Sequence, residues 1–151
     1  MSMRFPYRHK RVARPALALG GALVRPYPVI DVSVIGPLKT WLVEGKLDTG
    51  ADDTVFSAQL AGWIGLDLTN APRGEFRSAS GGVIAVRYAQ VTMRVARGAE
   101  RREWSALVRF TAAPLNQALL GFAGFLQFFT ATFHGDLEEV ELTINRRYPG
   151  T

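Results

Sequence analysis

The sequence predicts an all-β domain with one short C-terminal helix, and three observations support that fold class. Apolar and polar residues alternate over several short runs, which is typical of half-buried strands. Turns rich in glycine or proline separate these runs, and only one segment shows the spacing of a helix. At 151 residues, 48% hydrophobic and 21% charged, the chain has the size and composition of a single packed domain.

The first two strands of the body are predicted on either side of a Gly36-Pro37 turn. Apolar residues alternate with polar ones over residues 30–34, which indicates a strand with one buried face. Residues 40–47 form the return strand. It ends at Asp48-Thr49-Gly50, where the glycine permits a sharp turn or a close approach of another chain.

A hairpin is predicted next, because the turn-rich residues 78–82 precede a long extended run over residues 83–95. The apolar positions of that run change face near Ala89, so the strand should bend or bulge there. Residues 104–110 alternate between apolar and polar side chains and form another strand.

The predicted helix carries four large apolar side chains at positions i, i+3, i+4 and i+7, namely Phe122, Phe125, Leu126 and Phe129. This spacing, with no polar partner, indicates core packing rather than a ligand site. Residues 130–133 and 140–144 then close the domain as a hairpin, with a turn at His134-Gly135-Asp136.

The net charge of +5 is local to the N-terminus. Residues 1–14 contain five basic side chains and no acid, whereas the rest of the chain holds equal numbers of basic and acidic residues. A nucleic-acid site should persist as a basic patch on the folded body, so we expect no nucleic-acid partner. We therefore expect a flexible basic arm over residues 1–14, with a partner-binding segment as the alternative, and a single domain over residues 15–148.

The compartment and the cofactor class follow from what the sequence lacks. No run approaches the roughly 20 apolar residues of a membrane-spanning helix. The apolar residues 16–24 form a poor secretion signal, and a first strand with a Gly20-Gly21 turn is an equally good interpretation, so we expect a cytoplasmic protein. Without cysteine there is no thiol nucleophile, and His9 and His134 alone give no zinc ligand set. We expect neither a metal nor a cofactor.

The strongest local motif is the carboxylate cluster of residues 47–55, Leu-Asp-Thr-Gly-Ala-Asp-Asp-Thr-Val, directly after an apolar strand. A calcium loop counted from Asp48 would need glycine at its sixth position and glutamate at its twelfth. Gly50 is third and Gln59 is twelfth, so that interpretation fails. A plain Asp-Thr-Gly turn remains an alternative.

Residues 47–55 resemble the active-site strand of retroviral-type aspartic proteases, the retropepsin group. That pattern is an apolar residue, D-[TS]-G-[AS], often an acid, and then an apolar residue. The family's flap hairpin and its apolar-apolar-Gly segment before a helix correspond to residues 78–82 and Leu119-Leu120-Gly121. The resemblance covers about residues 27–144. It departs after the glycine, where retroviral members carry Arg then Asn or Asp and this chain has Phe122 and Ala123.

The resemblance implies a retropepsin-like acid-protease barrel and an aspartic endopeptidase that acts on polypeptides. Because the chain has a single D-T-G motif, it implies a homodimer in which Asp48 of each subunit is catalytic. The remaining implied site residues are the loop supports Thr49, Gly50 and Ala51 and the substrate contacts Asp52, Asp53, Ser80, Gly81, Gly82 and Leu120.

Two other functions remain open at this point. A non-catalytic member of the family would keep the fold and bind a peptide or a protein in the groove. A nucleic-acid binder would depend on the basic arm, and its affinity would fall steeply with salt. The predominance of Arg over Lys indicates a GC-rich genome and therefore a bacterial source.

Overall fold

The computed structural model describes residues 2–151 and confirms the mainly β fold class. Twelve strands and one α-helix occur in these residues. In chain order they are β1 (Ser2–Pro6), β2 (Arg8–Ala16), β3 (Ala22–Tyr27), β4 (Val29–Ile35), β5 (Thr40–Leu47), β6 (Val55–Ser57), α1 (Ala58–Ile64), β7 (Arg73–Arg77), β8 (Val83–Arg97), β9 (Glu100–Thr111), β10 (Ala118–Leu120), β11 (Phe129–His134) and β12 (Glu139–Ile144).

Seven strands form the central sheet, in the order β4-β5-β10-β6-β9-β8-β7. Strand β4 also pairs with β8, from Ser33 opposite Arg94 to Ile35 opposite Thr92, so the sheet curls back on itself. The result is one strongly curved sheet, in which β7 lies outside the pairing between β4 and β8. A three-stranded sheet, β1-β12-β11, and the hairpin β2-β3 complete the fold.

Strand alternation produces the hydrophobic core, as the sequence predicts. Val32 and Val34 of β4 are fully buried, as are Val108 of β9 and Leu120 of β10. The predicted change of face in β8 is confirmed, because Val86 is buried on one side of Ala89 and Val91 on the other. Strand β8 pairs with β9 along its length without a bulge. On its other edge, β8 pairs first with β7 and later with β4.

The predicted C-terminal helix is reduced to one 3-10 turn at Leu126–Phe128. Phe122 is 53% exposed, so its expected place in the core is wrong. In a helix the carbonyl of Ala123 would accept from the Gln127 N–H, but here it accepts from the N–H and the hydroxyl of Thr54, and Gly124 follows in the left-handed conformation at φ +92°. Phe125 and Phe129 are buried as predicted, with ring centroids 5.4 and 5.3 Å from that of Trp104.

The one α-helix of the described residues, α1, was not predicted. It has an ordinary N-cap, in which the backbone N–H of Gln59 donates to the Ser57 hydroxyl. Gly65 ends the helix in the left-handed conformation at φ +87°. These two signals are present in the sequence and locate the helix. None of the helices over residues 2–151 has the length and apolarity needed to span a membrane.

The N-terminal segment is part of the strand framework over residues 2–14, so a flexible arm does not describe it. Strand β1 pairs with β12 along its whole length, and its Met3 and Phe5 side chains enter the core. Met1 lies outside the described residues. Strands β2 and β3 form a hairpin around the expected Gly20-Gly21 turn. The sequence predicts a flexible arm because β1 has few apolar residues and because the residues that β1 contacts in the core are distant in sequence.

Replacing Phe5 by Ala should lower the free energy of unfolding by about 3 kcal/mol, because a buried aromatic side chain leaves a cavity. Urea unfolding followed by tryptophan fluorescence measures the change. Leu137→Ala is the matched control, since Leu137 is 59% exposed and the cost should stay below about 0.5 kcal/mol. Equal, small effects of both variants would mean that β1 does not pack on the core.

The base of the β2-β3 hairpin should contribute stability that depends on pH. A hydrogen bond from Arg8 to Glu44, 2.5 Å long, holds the pKa of Glu44 below its ordinary value of 4.5. Wild type should therefore exceed Glu44→Gln in stability above pH 4.5, and the difference should shrink as the pH falls further. Urea unfolding across pH tests this. A stability difference that persists in acid, or that does not change when salt is added at neutral pH, would contradict the ion pair.

Candidate active site

Asp48 lies where β5 leaves the sheet, at the floor of a cleft. Strand β10 runs parallel to the end of β5, and the Asp48 backbone N–H donates to the carbonyl of Leu120 over 3.1 Å. The carboxylate oxygen Oδ1 accepts a hydrogen bond of 2.9 Å from the Gly50 N–H. The other carboxylate oxygen has no hydrogen-bond partner among residues 2–151, so it is available to a ligand.

Four backbone hydrogen bonds hold the loop of residues 48–54 against residues 120–123. The hydroxyl of the buried Thr54 adds a fifth contact, donating to the carbonyl of Ala123 over 3.0 Å. Backbone pairing of this density leaves the loop little freedom to move. The four bonds run from the Asp48 N–H to Leu120, from the Thr54 N–H to Ala123, from the Phe122 N–H to Ala51 and from the Ala123 N–H to Asp52.

Two glycines are required for this close packing. A Cβ atom at Gly121 would overlap the backbone carbonyls of Ala51 and Asp53. At Gly50 a Cβ atom would lie 3.2 Å from Oδ1 of Asp48, so a side chain there would press on the carboxylate. A residue with a side chain at position 50 would therefore require the carboxylate to shift by a few tenths of an ångström.

The cleft lies between this loop and the β7-β8 hairpin and has a volume of about 730 Å³. Five of the residues predicted for the site line it: Asp48, Gly50, Ala51, Asp52 and Asp53. The other lining residues are Val55, Glu75, Phe76, Arg77, Ser78, Ala79, Val83, Arg109 and Leu119.

The β7-β8 hairpin is held by antiparallel pairing from Arg73 opposite Arg87 to Arg77 opposite Val83. Its tip is closed by a 2.8 Å hydrogen bond from the Ser78 N–H to the carbonyl of Gly82. Gly81 adopts φ +87°, which explains glycine at this position.

Several predicted residues do not line the cleft. Ser80, Gly81 and Gly82 are exposed at the hairpin tip, and Thr49 is exposed on the loop. Leu120 is predicted to contact substrate, but its side chain is fully buried against Gly45. Its carbonyl accepts the hydrogen bond from the Asp48 N–H. Its neighbour Leu119 lines the cleft instead, because successive side chains of a strand point to opposite faces.

Arg109 is the site residue that the sequence analysis missed. It lies on β9, opposite Tyr88 of β8, and forms an ion pair with Asp53. Its Nε donates to the Tyr88 hydroxyl over 3.0 Å. The guanidinium lies 5.7 Å from the ring centroid of Phe76 and 5.6 Å from that of Tyr88. One side chain thus joins the aspartate loop to both strands of the hairpin that covers the cleft.

The signal for Arg109 was ambiguous in the sequence. It sits between Val108 and Phe110, which are both buried, so alternation predicts only that its side chain faces away from the core. Curvature of the sheet makes that outer face the wall of the cleft, where the side chain is 14% exposed. Asp52, by contrast, is exposed and has no ion pair within residues 2–151, as the missing arginine after Gly121 leads one to expect.

No group of three or more His, Asp or Glu side chains in residues 2–151 is placed to hold a metal ion. The two histidines lie near the β11-β12 hairpin. His9 contacts Glu138 at 2.5 Å, and His134 contacts Glu141 at 3.4 Å. Both have structural partners outside the cleft.

The solved structures of similar fold include a crystal structure of a retropepsin-like aspartic protease from Rickettsia conorii. The match has a TM-score of 0.57 and covers 94% of this chain and 90% of that chain, at 13% sequence identity. Neither a protein-family model nor a curated protein matches the sequence. The similarity therefore establishes a retropepsin-like fold.

Arg109→Gln should lower the free energy of unfolding by about 2 kcal/mol, because the partly buried Asp53 carboxylate loses its charged partner. Arg97→Gln is the control, since Arg97 is exposed at the end of β8 and has no ion pair within the described chain. The coupling between Arg109 and Asp53 is measured by adding Asp53→Asn in a double-mutant cycle with urea unfolding. Additive effects of the two substitutions would show that the pair contributes nothing.

Proposed function

We propose that this protein is an aspartic endopeptidase that acts as a homodimer. The observation that carries the proposal is the position of Asp48, on a rigid loop at the floor of a groove with one carboxylate oxygen unoccupied. The D-T-G motif and the retropepsin-like fold of the Rickettsia conorii protease support the same chemistry. Exposure of Thr49 and Gly50 leaves this loop accessible to a second subunit.

The reaction needs two carboxylates that share one proton. Two like charges at close range resist ionising together, so one Asp48 stays protonated while the other is ionised. The ionised group removes a proton from water as the water attacks the peptide carbonyl. The protonated group donates to the carbonyl oxygen, and a proton then passes to the leaving amine as the C–N bond breaks. One chain supplies one such aspartate, so two chains complete the site.

The groove fits an extended polypeptide as substrate. The β7-β8 hairpin covers the floor from the opposite side, and its Ser78, Ala79 and Val83 face the cleft. Asp53 is paired with Arg109, whereas Asp52 and Glu75 are exposed at the rim and have no ion pair within residues 2–151. Substrate backbone would bind along the loop and the hairpin, with side chains alternating between the two walls. Ser80, Gly81 and Gly82 would contact substrate only when the hairpin tip closes.

A non-catalytic peptide-binding module is the second candidate. The observation that favours it is Phe122, which is 53% exposed where retroviral members carry the arginine that supports the active-site loop. In this chain the backbone bonds of residues 120–123 and the Arg109 ion pair support that loop. These replacements make the missing arginine dispensable, so we favour the protease.

Asp48→Asn should reduce kcat/KM for peptide cleavage at least about 1,000-fold, because an amide can neither share the proton nor activate water. A diverse peptide library, incubated at several pH values and read by mass spectrometry, measures cleavage. Asp136→Asn is the matched control, the same change in the exposed turn after β11 and outside the cleft, and it should change kcat/KM less than about 10-fold. Sedimentation in the same buffers records the oligomeric state. A dimeric wild type that cuts no peptide, or an Asn variant that cuts equally well, would contradict the proposal.

A further inference from the structure

The β2-β3 hairpin projects from the body of the protein. Within residues 2–151, its residues 11–26 form hydrogen bonds only with one another. The hairpin is attached at its base, where Arg8 contacts Asp31 at 2.9 Å and Glu44 at 2.5 Å. A nine-residue strand such as β2 reaches about 30 Å when extended, so the tip can lie far from the core.

The tip of the hairpin exposes four large apolar side chains. Leu17 is 86% exposed and Leu23 is 62% exposed, and Leu19 and Val24 are also open to solvent. We call these four residues the tip patch. Single exposed apolar residues are ordinary on soluble proteins, but several together on a projecting element indicate a contact surface.

The charges of the hairpin complement those around the cleft. At its base, Arg8 and Lys10 are paired with acids, whereas Arg11, Arg14 and Arg25 have no acidic partner in the described structure. Three carboxylates without a cationic partner line the cleft, Asp48, Asp52 and Glu75, against one lining cation without an acidic partner, Arg77, so the lining keeps an excess of negative charge. The excess positive charge on the hairpin and the excess negative charge at the cleft thus lie on different parts of one chain. Two copies can bring them together.

The base of the hairpin lies beside the aspartate loop. The N–H of Leu47, the residue before Asp48, donates to the carbonyl of Pro28 over 2.9 Å. The Lys46 ammonium lies 5.4 Å from the ring centroid of Tyr27, the last residue of β3. In a homodimer joined at the two aspartate loops, each hairpin therefore starts next to the two-fold axis. Its length is sufficient to reach the other subunit.

We propose that residues 8–27 form a clasp that binds a second copy of this chain. The tip patch packs on the body of the partner, and Arg11, Arg14 and Arg25 face its acidic cleft rim. The clasp rests on the homodimer of the proposed function and adds to it a surface outside the aspartate loops. It also gives a role to the leucines at the hairpin tip, which are exposed within this chain.

Sedimentation equilibrium of the full chain tests the clasp. The triple variant Leu17→Ser, Leu19→Ser, Leu23→Ser should raise the dimer Kd at least about 100-fold, because three apolar side chains lose their burial. Leu107→Ser with Leu137→Ser is the control, since both leucines are more than half exposed elsewhere on the protein. The control should leave Kd unchanged, and circular dichroism should show both variants folded.

A charge variant gives an independent test. Arg11→Gln, Arg14→Gln and Arg25→Gln together should weaken the dimer and reduce the dependence of Kd on salt. Arg97→Gln, Arg146→Gln and Arg147→Gln remove the same charge from other places and should change neither quantity.

The outcomes separate the clasp from the proposed function. If both hairpin variants dissociate a wild-type dimer that cuts no peptide, the clasp stands and the protease proposal fails. If wild type is a monomer, or is a dimer that neither hairpin variant weakens, the clasp is overturned whatever the activity. Binding of wild type, but not of the leucine variant, to vesicles of phosphatidylcholine and phosphatidylglycerol, with Kd unchanged, overturns it in favour of a membrane surface.

Discussion

The backbone pairing between residues 48–54 and residues 120–123 is the constraint on which the rest of the structure depends. It joins the loop after β5 to the segment after β10, two regions about 70 residues apart, through hydrogen bonds of 2.9 to 3.1 Å. Its donors and acceptors are main-chain groups, so the pairing depends on the backbone conformation and little on the identity of the side chains. Gly121 is the exception, because any side chain there would collide with the loop. The pairing fixes the position of Asp48, and it also occupies the carbonyl of Ala123, which a helix over residues 122–129 would need as the acceptor for the Gln127 N–H.

The same pairing directs how the C-terminus packs. Beyond Ala123 the chain turns at Gly124, whose carbonyl accepts a 2.9 Å hydrogen bond from the Trp104 indole. That bond places Phe125 and Phe129 against the indole ring. Strands β11 and β12 then follow, and β12 provides the edge on which the N-terminal β1 pairs. The irregular backbone of residues 121–124 thus contacts both the loop of Asp48 and the core around Trp104. A change that disturbs this segment should affect both the stability of the protein and the position of Asp48.

Electrostatic support for the site comes from a different direction than in the family that the sequence resembles. The cation that faces the acidic loop is Arg109 of β9, and it binds Asp53 rather than Asp52. Because this guanidinium also contacts Tyr88 and Phe76, the hairpin above the cleft and the loop below it share one partner. A change in the position of the hairpin therefore changes the surroundings of the loop that carries Asp48.

The alternation of residues predicted β4, β5, β8, β9, β11 and β12, and the motif and the glycine-rich turn located the D-T-G loop and the hairpin above it. These features depend on patterns that act over a few neighbouring residues. The other features depend on tertiary contacts. These contacts placed Met3 and Phe5 in the core, shortened the helix at Phe122, buried Leu120 and brought Arg109 to Asp53. Each of these depends on a partner tens of residues away, and local patterns carry no information about which distant segment a strand edge or a charge will meet.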